Sequence, residues 1–185
     1  MSRLLLAVAL GLVATGVPAA DAPCWAVQPG SRLGFSAVQA GAPFEGTFRR
    51  FEARICFVPE ALAASRFEVV VDVASVDTQA PDRDEALRAP EFFDVARFPH
   101  SRFTAGRFRQ SGGNAYVAEG HLTIRDVTRP LELPFTFVRA ADGTARLAGQ
   151  IVLRRLEYGV GRGEWADTTW IPDDVTVKFE LKLRQ

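Results

Sequence analysis

Hydrophobic and polar residues alternate with period two along most of this chain. The clearest run is C-terminal, where Val175, Val177, Phe179, Leu181 and Leu183 alternate with Thr176, Lys178, Glu180, Lys182 and Arg184. Successive strand residues point to opposite faces, so the segment carries one apolar and one solvated face. The same rhythm aligns Leu33, Phe35 and Ala37, then Phe51, Ala53, Ile55 and Phe57, then Phe67, Val69, Val71 and Val73. It returns in Tyr116, Ala118, Gly120, Leu122 and Ile124, in Leu131, Leu133, Phe135 and Phe137, and in Leu147, Gly149, Ile151 and Leu153. Gly41-Ala42-Pro43, Ser111-Gly112-Gly113-Asn114 and Asp142-Gly143 favour reversals between these runs.

Residues 81–99 break the pattern. Pro81 and the acidic Asp82, Asp84 and Glu85 suit a helix start, so the spacing predicts one short helix near 82–88. A second helical turn near 90–94 would lead to a loop through Pro99 and His100, and Pro59–Ser65 predicts a further turn. Antiparallel strands with one apolar face must cover that face and protect their edges. A closed barrel does both. The expected fold is therefore all-β: an extended antiparallel β-barrel of about eight strands with one or two short helices, a two-sheet sandwich sharing the same periodicity.

The first residues stand apart from this fold. Arg3, the apolar run Leu4–Val13 and the small residues up to Ala19 predict a secretory signal peptide, residues 1–19, with cleavage after Ala20 the alternative. That leaves a single domain, residues 20–185, expected in the periplasm. Two cysteines, Cys24 and Cys56, would then meet an oxidising compartment, which favours a disulfide; two buried thiols are the bland alternative.

Charge narrows the partners. Lys and Arg number 22, as do Asp and Glu, so no basic excess marks a nucleic-acid partner. No second apolar run reaches membrane-spanning length, and stable membrane insertion is not expected. Only His100 and His121 could join the cysteines, without ligand spacing, so no metal site is expected. No nucleophile elbow, H-E-x-x-H or phosphate-binding loop is present, and no catalytic residue is assigned. Asp82, Asp84 and Glu85 read as a charged helix start, and Gly159, Gly161 and Gly163 as a flexible turn. What is abundant is apolar surface, with 14 Phe and 3 Trp. Phe92, Phe93 and Phe98 lie in the irregular region, and Trp165 and Trp170 flank a polar stretch before the last strand; such residues cap a barrel mouth or line it.

Two stretches carry a resemblance. RDEALRAPEFFDVARFP, residues 83–99, places Arg83-Asp84, Leu87-Arg88, Phe92-Phe93-Asp94-Val95 and Pro99 as in the signature of the YceI-like bacterial polyisoprenoid-binding proteins. GHLTIRDVTRPLELPF, residues 120–135, is similar to that family's strand-turn-strand. Val73–Thr78, Trp25–Phe35 and Ile171–Val177 match in order, so the resemblance spans the mature chain. It implies a lipocalin-like barrel without enzymatic activity or cofactor, whose apolar pore carries or sequesters a long isoprenoid lipid, a polyprenyl phosphate or a quinone-like molecule. Phe35, Phe92, Phe93, Phe98, Phe135, Phe137, Trp165, Trp170 and Arg88 are the expected pore or mouth contacts. Arg83 or Arg88 would pair with Asp94 or Asp84, or face a ligand phosphate. The alternative is an envelope stress or interaction module with a self-filled barrel; a homodimer is compatible with either. Cys24 and Cys56 stand outside the family pattern.

Overall fold

The structure, a computed structural model, describes residues 23–185, and the expected signal peptide lies outside them. Eleven strands form one antiparallel sheet: β1 (Cys24–Val27), β2 (Arg32–Gln39), β3 (Ala42–Phe48), β4 (Phe51–Cys56), β5 (Arg66–Asp72), β6 (Val76–Asp77), β7 (His100–Gly112), β8 (Ala115–Ile124), β9 (Val127–Arg139), β10 (Thr144–Arg154) and β11 (Asp174–Arg184). The order β1-β4-β5-β7-β8-β9-β10-β11 closes on itself where Ala26 and Val27 of β1 meet Arg184 and Leu183 of β11. This is the expected closed barrel of eight strands. β2, β3 and β6 extend it at one end, called the upper end below.

Three long strands are each broken midway. β1 and β2 lie one after the other along β11, separated by Pro29 and Gly30; β3 and β4 are interrupted at Arg49-Arg50, and β5 and β6 at Val73–Ser75. A polar knot holds the last two breaks together. Ser75 Oγ accepts from the Arg50 amide and donates to the Asp72 carbonyl, while Asp72 Oδ1 accepts from the Ala74 amide. Arg50 pairs with Asp72 at 2.7 Å, and Arg49 pairs with Asp77. Below the breaks the cylinder is closed. Above them β6 pairs with β3 and not with β7, and the chain between β6 and β7 supplies helix α1 (Pro81–Arg88) and the turns of residues 89–98. Pro81 fits the first helical turn because it has no amide to leave unpaired. The expected second helical turn near 90–94 is a chain of turns instead, with Asp94 at φ 51°.

Four of the described strands escaped the sequence pattern, the short β1 and β6 and the longer β7 and β3. β7 begins at His100, which sequence placed in a loop, and its inward positions include the small Ser101 and Ala105. β3 starts at Ala42, inside a stretch read as a turn, and its apolar face is interrupted by Gly46. The wall also has one weak line. β9 and β10 share only four register pairs, Ala145–Ala148 with Arg139–Thr136, whereas β8 pairs with β9 along the whole of its own length. The Phe137 amide turns to Asn114 beside β8 and the Ala140 amide to Thr144 of β10. Alternation therefore aims positions 130 and 134 of β9 at β10, and both are proline. Two donors are missing on that edge, and the ladder stops there.

The Cys24–Cys56 disulfide is present, joining directly opposed residues of β1 and β4.

Candidate ligand-binding cavity

Inward-facing side chains follow a gradient along β8, β9, β10 and β11. On β11, Leu183 and Leu181 are buried while Phe179, Val177 and Val175 are only partly so; on β9, Phe137 and Phe135 are buried but Leu133 and Leu131 are not. β8 and β10 repeat the change, from Tyr116 and Ala118 to Leu122 and Ile124, and from Ala145 and Leu147 to Ile151 and Leu153. These residues face the barrel axis, so partial exposure there means they face open space rather than packed neighbours.

Aromatic rings fill the lower end. Phe57, fully buried, lies 4.9–5.9 Å centroid to centroid from Phe67, Phe108, Tyr116, Phe135 and Phe137. Trp25 closes the group, edge-on to Phe137 at 5.4 Å, its indole donating to the Phe57 carbonyl at 3.0 Å. This satisfies the buried indole N–H.

Above the plug lies a cavity of about 520 Å³. Its wall is Leu33, Val69, Leu131, Leu133, Ile151 and Val177 together with further aliphatic and phenyl groups. The upper end is capped by a second buried cluster, Phe35, Val76, Leu87, Phe92, Tyr158, Val160 and Ile171. Two buried arginines staple that cap. Arg155 donates to the carbonyls of Val160, Gly161, Trp165, Ile171 and Pro172, which fixes the connection between β10 and β11. Arg125 donates to the carbonyls of Pro90 and Phe92 and lies 3.6 Å from the Asp94 carboxylate, while its Nε has no hydrogen-bond partner among the described residues. Burial lowers both guanidinium groups from their ordinary value.

The cavity reaches the surface beside α1, where Gln39, Phe44, Asp82 and Arg83 complete its lining. Arg83 bridges α1 to the β2–β3 hairpin: Nε donates to Gln39 Oε1 at 3.1 Å, and the guanidinium lies 4.1 Å over the Phe44 ring. Among the described residues its two terminal nitrogens have no hydrogen-bond or ion-pair partner.

Set against expectation, Phe35, Phe92, Phe93 and Trp165 line the cavity. Phe135 and Phe137 lie inside the barrel but in the plug, away from the cavity. Phe98 packs beside the Arg125 and Arg97 guanidinium groups, and Trp170 is 57% exposed. Neither reaches the cavity. Arg88 is also displaced from the expected role: it donates to the carbonyls of Ala74 and Val76, tying α1 to β6. Nor do the expected pairs with the two aspartates form. Asp84 accepts from the Thr78 amide and hydroxyl, and Asp94 faces Arg97 and Arg125. Sequence reading missed Arg83's position, Arg155 and Arg125. Five positions apart on α1, Arg83 and Arg88 point about 140° from each other, and nothing local says which faces the mouth. Among the described residues no cluster of His, Cys, Asp or Glu could hold a metal ion.

The geometry defines a class: closed β-barrels with a plugged floor and a hollow, apolar upper chamber. The YceI-like domain matches residues 25–183, and the chain belongs to the YceI-like family. A UPF0312 protein of Vibrio vulnificus is 31% identical over 129 residues, 69% of this chain and 65% of that protein. Protein YceI of Salmonella newport is 35% identical over 97 residues, 52% of this chain and 50% of that protein. The chain thus spans between about half and two thirds of the length of these curated relatives. Among solved structures, Burkholderia cenocepacia BcnA superposes with a TM-score of 0.82 at 29% identity, covering 85% of this chain and 99% of that one. A polyisoprenoid-binding domain from Saccharophagus degradans, implicated in plant cell wall breakdown, shares the fold at TM-score 0.68 and 14% identity, covering 87% and 97%.

Proposed function

We propose that this protein is a non-enzymatic periplasmic carrier or sequestering protein for a long-chain isoprenoid lipid. The observation that carries the reading is the hollow, apolar upper chamber between the aromatic plug and the arginine-stapled cap. A protein core is normally packed to the density of an organic crystal, so a chamber of this size wants an occupant. Each methylene transferred into it contributes about 0.8 kcal/mol, and a long hydrocarbon tail needs few polar contacts to bind. The polar head would rest at the mouth near Arg83 and Gln39. The polyisoprenoid-binding domain of Saccharophagus degradans, sharing this fold, supports the ligand class. The leader-like N-terminus and the disulfide support the compartment. A self-filled barrel describes only the lower end.

Native mass spectrometry and organic extraction of the protein purified from its own periplasm test this. A co-purifying isoprenoid is expected; a barrel found empty in repeated preparations would overturn the carrier reading. Ile151→Glu puts a charge on the chamber wall and should abolish lipid uptake while leaving the circular dichroism spectrum intact. Phe135 cannot serve for that test, because its ring belongs to the plug.

A further inference from the structure

Two phenyl rings of the chamber lie against its wall instead of standing into the bore, and in both cases a glycine lets them. Phe35 of β2 is paired across the ladder with Gly46 of β3, and Phe179 of β11 with Gly149 of β10. A methyl group built on Gly46 would collide with the tip of the Phe35 ring, meeting Cζ and, at 2.6 Å, Cε1. One built on Gly149 would stand 2.5 Å from Phe179 Cζ. Each ring therefore occupies the space its partner's side chain would have taken, a known way for an aromatic residue to cover a strand glycine.

The two rings lean in opposite directions. β11 and β2 are neighbours, and their cross-strand rows read Gly149, Phe179, Leu33 and then Ile151, Val177, Phe35, Gly46. Phe179 leans off this pair of strands towards β10, and Phe35 leans off it towards β3. What faces the bore between them is Leu33 and Val177, both on the chamber wall. Removing the glycines would stand two phenyl rings up at successive levels of the chamber.

We propose that Gly46 and Gly149 are specificity-determining residues: they set the cross-section of the chamber so that it admits a methyl-branched chain as well as a slender unbranched one. The inference rests on the chamber holding a lipid chain. Gly46 is the cleaner position to test, because the nearest atoms to a side chain there are the Phe35 ring and the Thr78 methyl (3.0 Å), whereas one at Gly149 meets the Pro134 carbonyl of the backbone first.

The probes are phytanol and hexadecanol, saturated alcohols with the same main chain and the same hydroxyl, differing in four methyl branches. Affinities are read by tryptophan fluorescence on delipidated protein. Gly46→Ala should weaken phytanol by about tenfold or more and hexadecanol by less than about threefold, the scale of a methyl group refused by an apolar pocket. Adding Phe35→Leu to that variant removes the displaced ring and should restore phytanol binding. Equal losses for both alcohols, or no loss for either, would overturn the role of the glycine–phenyl pairs while leaving the lipid chamber standing. If the unmodified protein binds neither alcohol, the chamber itself has been misread and this inference falls with it.

Discussion

At its lower end the barrel is filled by Phe57 and the five rings around it; a few residues higher on the same strands it is hollow. Both halves obey the same alternation of apolar and polar positions. They differ in what fills the bore. Phe67, Tyr116, Phe135 and Phe137 occupy the lower inward positions, while Ala53, Val69, Leu131, Ile151 and Val177 occupy the upper ones. Hydrophobicity decides which face turns inward, and whether rings meet across the bore decides whether that interior is core or chamber. Stability and binding are thereby assigned to different stretches of the same strands.

The comparison is broken most forcefully at the plug. Phe57→Ala should lower the unfolding free energy by about 3–5 kcal/mol, because it empties a fully packed site; a denaturant midpoint unchanged from the parent protein would show that the plug is not the stabilising core. Next in size is the disulfide, which lies at that lower end. The double variant Cys24→Ala/Cys56→Ala frees a loop of sequence separation 32 and should cost about 2–4 kcal/mol, seen as a lower thermal midpoint.

The chamber wall should behave in the opposite way. Ile151→Ala removes contacts that are already incomplete, so its cost should stay near 1 kcal/mol, below the 2–5 kcal/mol usual for a packed isoleucine. Lipid affinity should fall instead, which titration of the delipidated variant will register. Smallest of all is the effect of acid on the breaks that separate the halves. Arg50 and Arg49 hydrogen bond to the carboxylates of Asp72 and Asp77 and hold both below the ordinary carboxylate value. Their stabilisation is present above the unfolded value near 4 and is lost as pH falls through the lower folded values. Thermal midpoints of Asp72→Asn and of the parent protein should differ slightly at neutral pH and converge in acid.

Most of the wall was legible from alternation alone, since seven runs of inward residues coincide with strands. β7 and β3 were hidden because their inward positions include Ser101, Ala105 and Gly46, small residues that an apolar count passes over. In β3 the missing signal has a reason: Gly46 is where the Phe35 ring rests. The candidate site was half legible. Phe92, Phe93 and Trp165 stand out as aromatics in irregular chain, yet so do Phe98 and Trp170, and only tertiary packing separates those at the chamber from those outside it. The split between plug and chamber did leave a trace, for the aromatics of the β5, β8 and β9 runs sit at one end, but reading it requires knowing which strand ends meet.

The ring closes between the first strand and the last, Ala26 and Val27 against Arg184 and Leu183. A chain folding from its N-terminus therefore remains an open sheet, inner face uncovered, until its final residues arrive. Such long-range closure is the slow and aggregation-exposed part of a β-barrel's assembly. β1 is only four residues long and makes two register pairs with β11. Bonded through Cys24 to Cys56, it is held beside β4 independently of β11, so the edge that receives β11 does not depend on that strand. The cross-link that stabilises the finished barrel also shortens the search that finishes it.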